Sequence, residues 1–389
     1  MTPSKRILTL NGAATEDDGW GVYYQARDMV AAGQSVTMLS IGDHDAPTPQ
    51  PIIDATKAAL DARRTKYAPV QGTPDLRDAI AARVAARTNV PTTRDNIFVA
   101  TGGQGALFAA MMATTEPGDT AVIIDPYYTT YPPTLRAAGT QVRILGADPD
   151  RGFQIDPDAL MDATKGARTL LINTPNNPTG AVYTPDTCAA IAQACLAHDL
   201  WLISDEVYDT QTYARPHVSL RSLPDMAART ITVGSLSKSH VMTGFRIGWA
   251  VGPGSVIAPM TDLTNATTYG APGFVQDAAL AALSCHAEEA ETAALYARRR
   301  NLAITTFQGQ NTIRLSPPDG AMYVMLDIRA TGLSGHEFAT RLLAQERIST
   351  MPGESFGTAA AGHIRVALTV PDAELTTALA RISDFAHRL

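Results

Sequence analysis

Seven short runs of β-branched and aliphatic residues alternate with longer Ala-rich stretches at helical spacing, and this alternation narrows the possible folds more than any other feature. The runs are N-I-F-V-A-T (96–101), A-V-I-I-D (121–125), Q-V-R-I-L (141–145), R-T-L-L-I-N (168–173), W-L-I-S-D (201–205), T-I-T-V-G (230–234) and I-G-W-A-V-G (247–252). Helical periodicity covers roughly 50–63, 74–88, 104–115, 185–198, 272–309, 335–346 and 372–388, mostly with charges on one face. Strands that alternate with helices predict an α/β fold with a mainly parallel, helix-covered sheet.

From about residue 286 the pattern changes. A long helical stretch leads into I-R-L (313–315), Y-V-M-L-D (323–327), I-S-T-M (348–351) and H-I-R-V-A-L (363–368), with helices between them. This reads as a second, smaller α+β domain. The stretch around Gly19–Gly33 reads as a helix that packs on the small domain rather than on the sheet. The expected division is an N-terminal segment 1–45, a large domain 46–285 and a small domain 286–389. A chain of 389 residues is long enough to need such a division.

Charge and composition exclude several functions. With a net charge of -7 the chain lacks the basic footprint of a nucleic-acid binder and has little attraction for anionic membranes. Its three cysteines, Cys188, Cys195 and Cys285, form no C-x-x-C pair, which argues against a disulfide framework or a metal site and for a reducing cytoplasm. No apolar run reaches the ~18 residues of a membrane span, and no export signal opens the chain.

In an open α/β sheet, ligands bind beyond the carboxyl ends of the strands. Unusual polar residues fall there: Gly102–Gly105, Asn177, Asp205 with Tyr208, and Lys238. Lys238 directly follows a strand in G-S-L-S-K-S-H, among small hydroxylated residues that rarely accompany a surface lysine. A lysine becomes an imine-forming nucleophile when burial or a nearby cation lowers its pKa, and Arg246 is a candidate cation. Asp205 ends an apolar strand. It serves either as a helix cap or as the partner of a buried cation such as a pyridinium nitrogen.

The segment T-G-G-Q-G-A-L (101–107) places backbone amides at a helix N-terminus, where a phosphate would be held. It also admits a dinucleotide fold, with Asp125 at about the right distance for a ribose contact. Against that, Phe108 stands where the third glycine belongs, and Lys238, Asp205 and Arg365 would have no purpose. Arg365, in the alternating strand H-I-R-V-A-L, would be costly facing inward without an anion. Its planar fork matches a carboxylate two bonds at a time.

Together these segments resemble the class I and II aminotransferases of fold type I, from about Leu39 to the C-terminus. The likeness is carried by L-S-I-G-D-H-D-A-P-T-P (39–49), K-Y-A-P-V-Q-G (66–72), N-T-P-N-N-P-T-G (173–180), S-D-E-V-Y (204–208), S-L-S-K (235–238), G-F-R-I-G (244–248), P-G-E-S-F-G (352–357) and H-I-R-V-A-L. The resemblance implies a pyridoxal-phosphate transferase fold, with a large domain around a mainly parallel seven-stranded sheet and a small α+β domain. It also implies transamination between an amino acid and a 2-oxo acid by ping-pong kinetics. Lys238 would carry pyridoxal 5'-phosphate as an imine and shuttle the proton, and Asp205 would keep the ring nitrogen protonated. Asn177 and Tyr208 would bond the ring hydroxyl oxygen, and Tyr128 would stack on the ring.

The phosphate would fall to Ser235, Ser237, Arg246 and the Gly102–Gly103–Gln104 turn. Tyr67 and Thr268 would reach across from the partner in the family's homodimer. Arg365 would clamp the substrate α-carboxylate, with Gly42 closing from above. Relatives specific for dicarboxylates use a further cation, yet no Arg or Lys lies between Arg246 and Arg298 and the glycine turn carries Gln104. His44 and Ala46 replace the proline and aromatic residue usual in their segment, and Trp20, Tyr23 and Tyr24 are candidates to line the pocket. The expected substrates are therefore neutral or aromatic amino acids. A carbon–sulfur β-lyase on the same fold is the nearest rival. A non-catalytic regulatory domain is the rival of another class, disfavoured because too few residues precede Leu39 for a DNA-binding module.

Overall fold

The computed structural model describes residues 1–11 and 20–389. Its thirteen strands are β1 (Thr37–Met38), β2 (Ile97–Ala100), β3 (Thr120–Asp125), β4 (Gln141–Gly146), β5 (Thr169–Asn173), β6 (Trp201–Asp205), β7 (Thr230–Ser235), β8 (Gly248–Val251), β9 (Arg314–Leu315), β10 (Tyr323–Asp327), β11 (Ile348–Ser349), β12 (Met351–Pro352) and β13 (His363–Ala367). Seven of them form one mixed sheet in the order β2-β8-β7-β6-β5-β3-β4. Strand β8 runs antiparallel to both neighbours, and the remaining pairs are parallel. The interior strands β5 and β8 are buried along their whole length, which is why they read as nearly unbroken apolar runs rather than alternating ones.

The described helices are α1 (Lys5–Leu8), α2 (Trp20–Ala31), α3 (Gln50–Asp61), α4 (Pro74–Thr88), α5 (Gly103–Thr114), α6 (Tyr131–Ala137), α7 (Pro157–Ala163), α8 (Pro185–Ala197), α9 (Gly254–Asn265), α10 (Gly273–Ala282), α11 (His286–Phe307), α12 (Gly335–Glu346) and α13 (Asp372–His387). Helices α5 and α9 pack Ala106, Ala110, Met111, Val256 and Met260 on one face of the sheet, against Phe98, Ile123 and Val233. The other face is covered by α8 through Ile191 and Cys195, and by α4 and α10 through Ile80 and Ala279. A four-stranded antiparallel sheet, β12-β13-β10-β9, makes a separate core with α11, α12 and α13 through Tyr296, Phe338 and Phe385. Helix α2 lays Val22 and Ala26 on Ala339 and Leu343 of α12, while Gly19 of the expected helix lies outside the described residues.

Two readings of the sequence are corrected. The stretch 272–309 is not one helix but two, separated by a turn at Leu283–Cys285. Helix α10 buries its alanines beside α3, whereas α11 sends Tyr296, Ala303 and Phe307 into the other core. One straight helix cannot point its apolar stripe at both. Helix α9 went unread because Pro253 and Pro259 act as breakers in isolation; packing of Val256, Ile257 and Met260 holds it.

Candidate active site

The carboxyl ends of β5, β6 and β7, the turn after β2 and the small sheet's β13 converge on one cavity of about 440 Å³, a size suited to a cofactor with a small substrate. Asp205, Asn177, Tyr208, Ser235, Ser237, Lys238, Arg246, Gly103, Gln104, Tyr128, Gly42 and Arg365 all line it. Gly102 lies immediately behind, with φ +85; a Cβ there would meet the Arg246 guanidinium at 2.3 Å, so glycine lets that side chain cross the turn. Tyr67 is not brought to the cavity: it is 90% exposed and shares a separate groove with Thr268 and Tyr269. Of the three N-terminal aromatics only Trp20 lines the cavity; Tyr23 and Tyr24 pack against it and against each other.

Asp205 is buried. Tyr131 Oη donates to its Oδ2 at 2.7 Å and the Val207 amide to its Oδ1 at 3.3 Å, so the carboxylate does cap the next turn while also facing the cavity. Burial pushes its pKa up to about 6 despite those two donors, because no cation stands beside it among the described residues. Asn173 fixes the strand ends from behind: Nδ2 donates to the Asp205 carbonyl at 2.9 Å and Oδ1 accepts from the Asn177 amide at 2.7 Å.

Arg365 is equally buried and, among the described residues, equally without a counter-ion. Its Nη1 donates to Asn177 Oδ1 at 2.9 Å, its Nη2 to the Ser40 carbonyl, and its Nε has no partner. The rings of Tyr323 and Phe356 sandwich the guanidinium at 4.5 and 4.6 Å. Burial pushes this arginine's pKa down, and no carboxylate among the described residues opposes it. A buried guanidinium held this way has the charge and the free donor to accept an anion.

Lys238 is half-buried, and its Nζ donates to the Gly42 carbonyl. Its own carbonyl accepts from Gln211 at 3.0 Å, while Ser235 Oγ bonds Ser237 and the Ile247 carbonyl, which fixes the loop from both sides. Beside it the first turn of α5 presents amides that a helix leaves without internal partners, flanked by Ser235, Ser237 and Arg246.

Sequence reasoning missed Tyr131, Tyr323, Asn173, Met351 and Phe356, all of which line the cavity. Tyr323 Oη bonds Tyr208 Oη at 3.1 Å, and a Cβ on Gly42 would lie 1.8 Å from the same hydroxyl. Only Asn173 carried a readable signal, as an amide ending an apolar strand.

Residues 34–382 match the family model of aminotransferase class I and II. The chain is 41% identical to the arginine–pyruvate transaminase of Pseudomonas aeruginosa over 94% of its own length and 93% of the relative's. It is 34% identical to the aspartate/prephenate aminotransferase of Thermus thermophilus, covering 98% and 97% of the two chains. The Thermus thermophilus aspartate aminotransferase solved with maleate superposes over both full chains with a TM-score of 0.92 at 32% identity. An aromatic aminotransferase from Pyrococcus horikoshii superposes at 0.88 and 31% identity, over 93% of this chain and 99% of that one.

The cavity suits pyridoxal phosphate. Among the described residues Asp205 has no cation beside it, where a pyridinium nitrogen would supply one; α5 and Arg246 offer donors for a phosphate, and Lys238 lines the same cavity. The chain thus belongs to the class I and II aminotransferases of fold type I, and is a pyridoxal-phosphate-dependent aminotransferase.

Proposed function

We propose that the enzyme moves an amino group from an amino acid with a single carboxylate to a 2-oxo acid, and that arginine with pyruvate is the first pair to test. The carrying observation is a count of charge. The cations that line the cavity among the described residues are Lys238, Arg246 and Arg365. In this reading Lys238 holds the cofactor, Arg246 takes its phosphate and Arg365 takes the substrate α-carboxylate, which leaves no cavity-lining cation of the same subunit for a second carboxylate. Gln104, in the glycine turn, is occupied: its amide donates to Thr134 at 2.6 Å and accepts from Thr130 at 3.0 Å. Trp20, Ile41, Met351 and Phe356 add apolar surface to the cavity wall, which suits a long aliphatic stem or a ring. The 41%-identical relative is named for arginine and pyruvate.

The bound cofactor supplies an electron sink for the pair of the Cα–H bond. Asp205 would favour a positive charge at the cofactor's ring nitrogen, and Asn177, Tyr208 and Tyr128, which line the same cavity, would hold and orient the ring. Lys238 would hold the cofactor and, through its amine, move the proton at the substrate Cα; that amine donates to the Gly42 carbonyl in this structure. Arg365 fixes the carboxylate so that the Cα–H bond points at that amine.

The same reading makes the enzyme a homodimer in which Tyr67 and Thr268 of one subunit complete the other's site. It also places the enzyme in the cytoplasm, since all three cysteines are free and buried. Titrating the visible absorbance of the holoenzyme with single amino acids tests the donor. Arginine should convert the cofactor to its amine form and pyruvate should restore it. Faster conversion by aspartate than by arginine refutes the single-carboxylate reading, and release of pyruvate and ammonia from cysteine without an acceptor identifies a lyase.

A further inference from the structure

Asp125, which ends β3, suits a dinucleotide ribose by its spacing from the glycine turn, but the structure points it elsewhere. The side chain is 1% exposed and reaches the segment between β12 and β13. Its Oδ2 accepts from Thr358 Oγ1 at 3.0 Å and from the Ala359 amide at 3.0 Å. Two residues on, the Tyr127 amide donates to the Phe356 carbonyl at 2.9 Å. Between these anchor points lies Gly357, with φ +117, whose missing Cβ would stand 2.2 Å from Asp125 Oδ1. The carboxylate therefore occupies space that any other residue at 357 would fill, and that side of the segment is fitted to it. Asp125 belongs to the seven-stranded sheet, whereas Phe356 hangs from the four-stranded one, so the contact spans the two halves of the cavity wall.

The segment so held carries one element of the site: the Phe356 ring, which lines the cavity and covers one face of the Arg365 guanidinium. We propose that Asp125 is a positioning residue for amino-acid recognition, a latch whose carboxylate, fitted against Gly357, holds Phe356 on Arg365 and so keeps the α-carboxylate receptor closed and dry. The inference rests on the reading of Arg365 as that receptor. The latch touches neither Lys238 nor the α5 turn, so its loss falls on substrate affinity rather than on the cofactor. Burial pushes the Asp125 carboxyl up, and its Oδ1 has no partner, so the acceptor pair at Oδ2 is what the side chain contributes.

The test is steady-state kinetics on the holoenzymes of Asp125→Ala, Asp125→Asn, Gly357→Ala, the Asp125→Ala/Gly357→Ala pair and Arg365→Ala, with cofactor affinity measured alongside. Asp125→Ala should raise KM for both the amino donor and the oxo acid roughly tenfold or more, the scale of two lost hydrogen bonds to a buried carboxylate, with cofactor affinity unchanged. Asp125→Asn keeps an acceptor oxygen and should restore most of the loss. Gly357→Ala should raise KM in the wild-type background and cost much less when Asp125→Ala has already made room. An unchanged KM in Asp125→Ala, no rescue by Asn, or additive losses in the pair overturns the latch. Arg365→Ala separates the two levels: if it leaves KM unchanged, the receptor reading itself fails, and if it raises KM while Asp125→Ala does not, only the latch fails.

Discussion

Tyr131→Phe isolates the electrostatics of the site, because it deletes one hydroxyl from a fully enclosed ring and leaves the packing intact. In the wild-type chain the Asp205 carboxyl is lifted from its ordinary 3.8 to about 6 by burial. That lift corresponds to about 3 kcal/mol of penalty for holding the charge in the cofactor-free protein. The sign follows: a raised carboxyl contributes stability at low pH that is lost as the pH rises through about 6, so the cofactor-free chain is strained at neutral pH. A bound cation relieves it. Tyr131 Oη, at 2.7 Å, offsets part of the penalty; a hydrogen bond to a charged acceptor contributes about 1.5–3 kcal/mol, so its loss raises the carboxyl further by about one to two pH units.

The assay is cofactor dissociation from wild type and Tyr131→Phe across pH, read as the ratio of the two constants. The ratio should reach roughly two- to tenfold near neutral pH, where a further lift of about one to two pH units leaves half or more of the variant's Asp205 protonated, and shrink as alkaline pH ionises both carboxyls. A ratio that stays constant across the range would show that the hydroxyl supplies only a local contact. A ratio of one would refute the argument that Tyr131 sets the charge on Asp205.

Lys238→Ala should bind cofactor yet lose turnover by at least ~10²–10⁴, the scale of a positioned acid–base group, in a coupled assay for the 2-oxo product. In Gly42→Ala the new Cβ displaces Tyr323 and breaks its bond to Tyr208, so kcat/KM should fall about tenfold or more in steady-state kinetics. Phe338→Ala empties a site packed edge-on against Phe385 at 5.1 Å, and denaturant unfolding should register a loss of about 3–5 kcal/mol.

Most of the sheet was legible because a strand buried on both faces, such as β5 or β8, leaves a mark in one stretch of chain; all seven runs became its strands, the more exposed edge strand β4 included. Lys238, Asp205 and Asn177 were legible for a related reason: a polar group at the end of such a run is out of place unless something needs it. Tyr131, Tyr323 and Phe356 left no such mark. An aromatic residue in a mixed segment reads the same whether it fills a core or faces a ligand, and only the neighbour it meets distinguishes the two. Asp125 shows the converse, since its spacing suited a ribose and its actual partners lie more than 200 residues further along, at Thr358 and Ala359.

Local sequence, then, determined the elements, the helix-covered sheet and the residue types gathered at its carboxyl edge, because periodicity and strand-end chemistry act over a few neighbouring positions. Tertiary structure decided which groups meet: that among the described residues Arg365 finds no carboxylate and Asp205 finds Tyr131 but no cation, and that Gly357 makes room for Asp125. Those facts depend on contacts between distant segments, and the cost of a buried charge is set by what surrounds it in space.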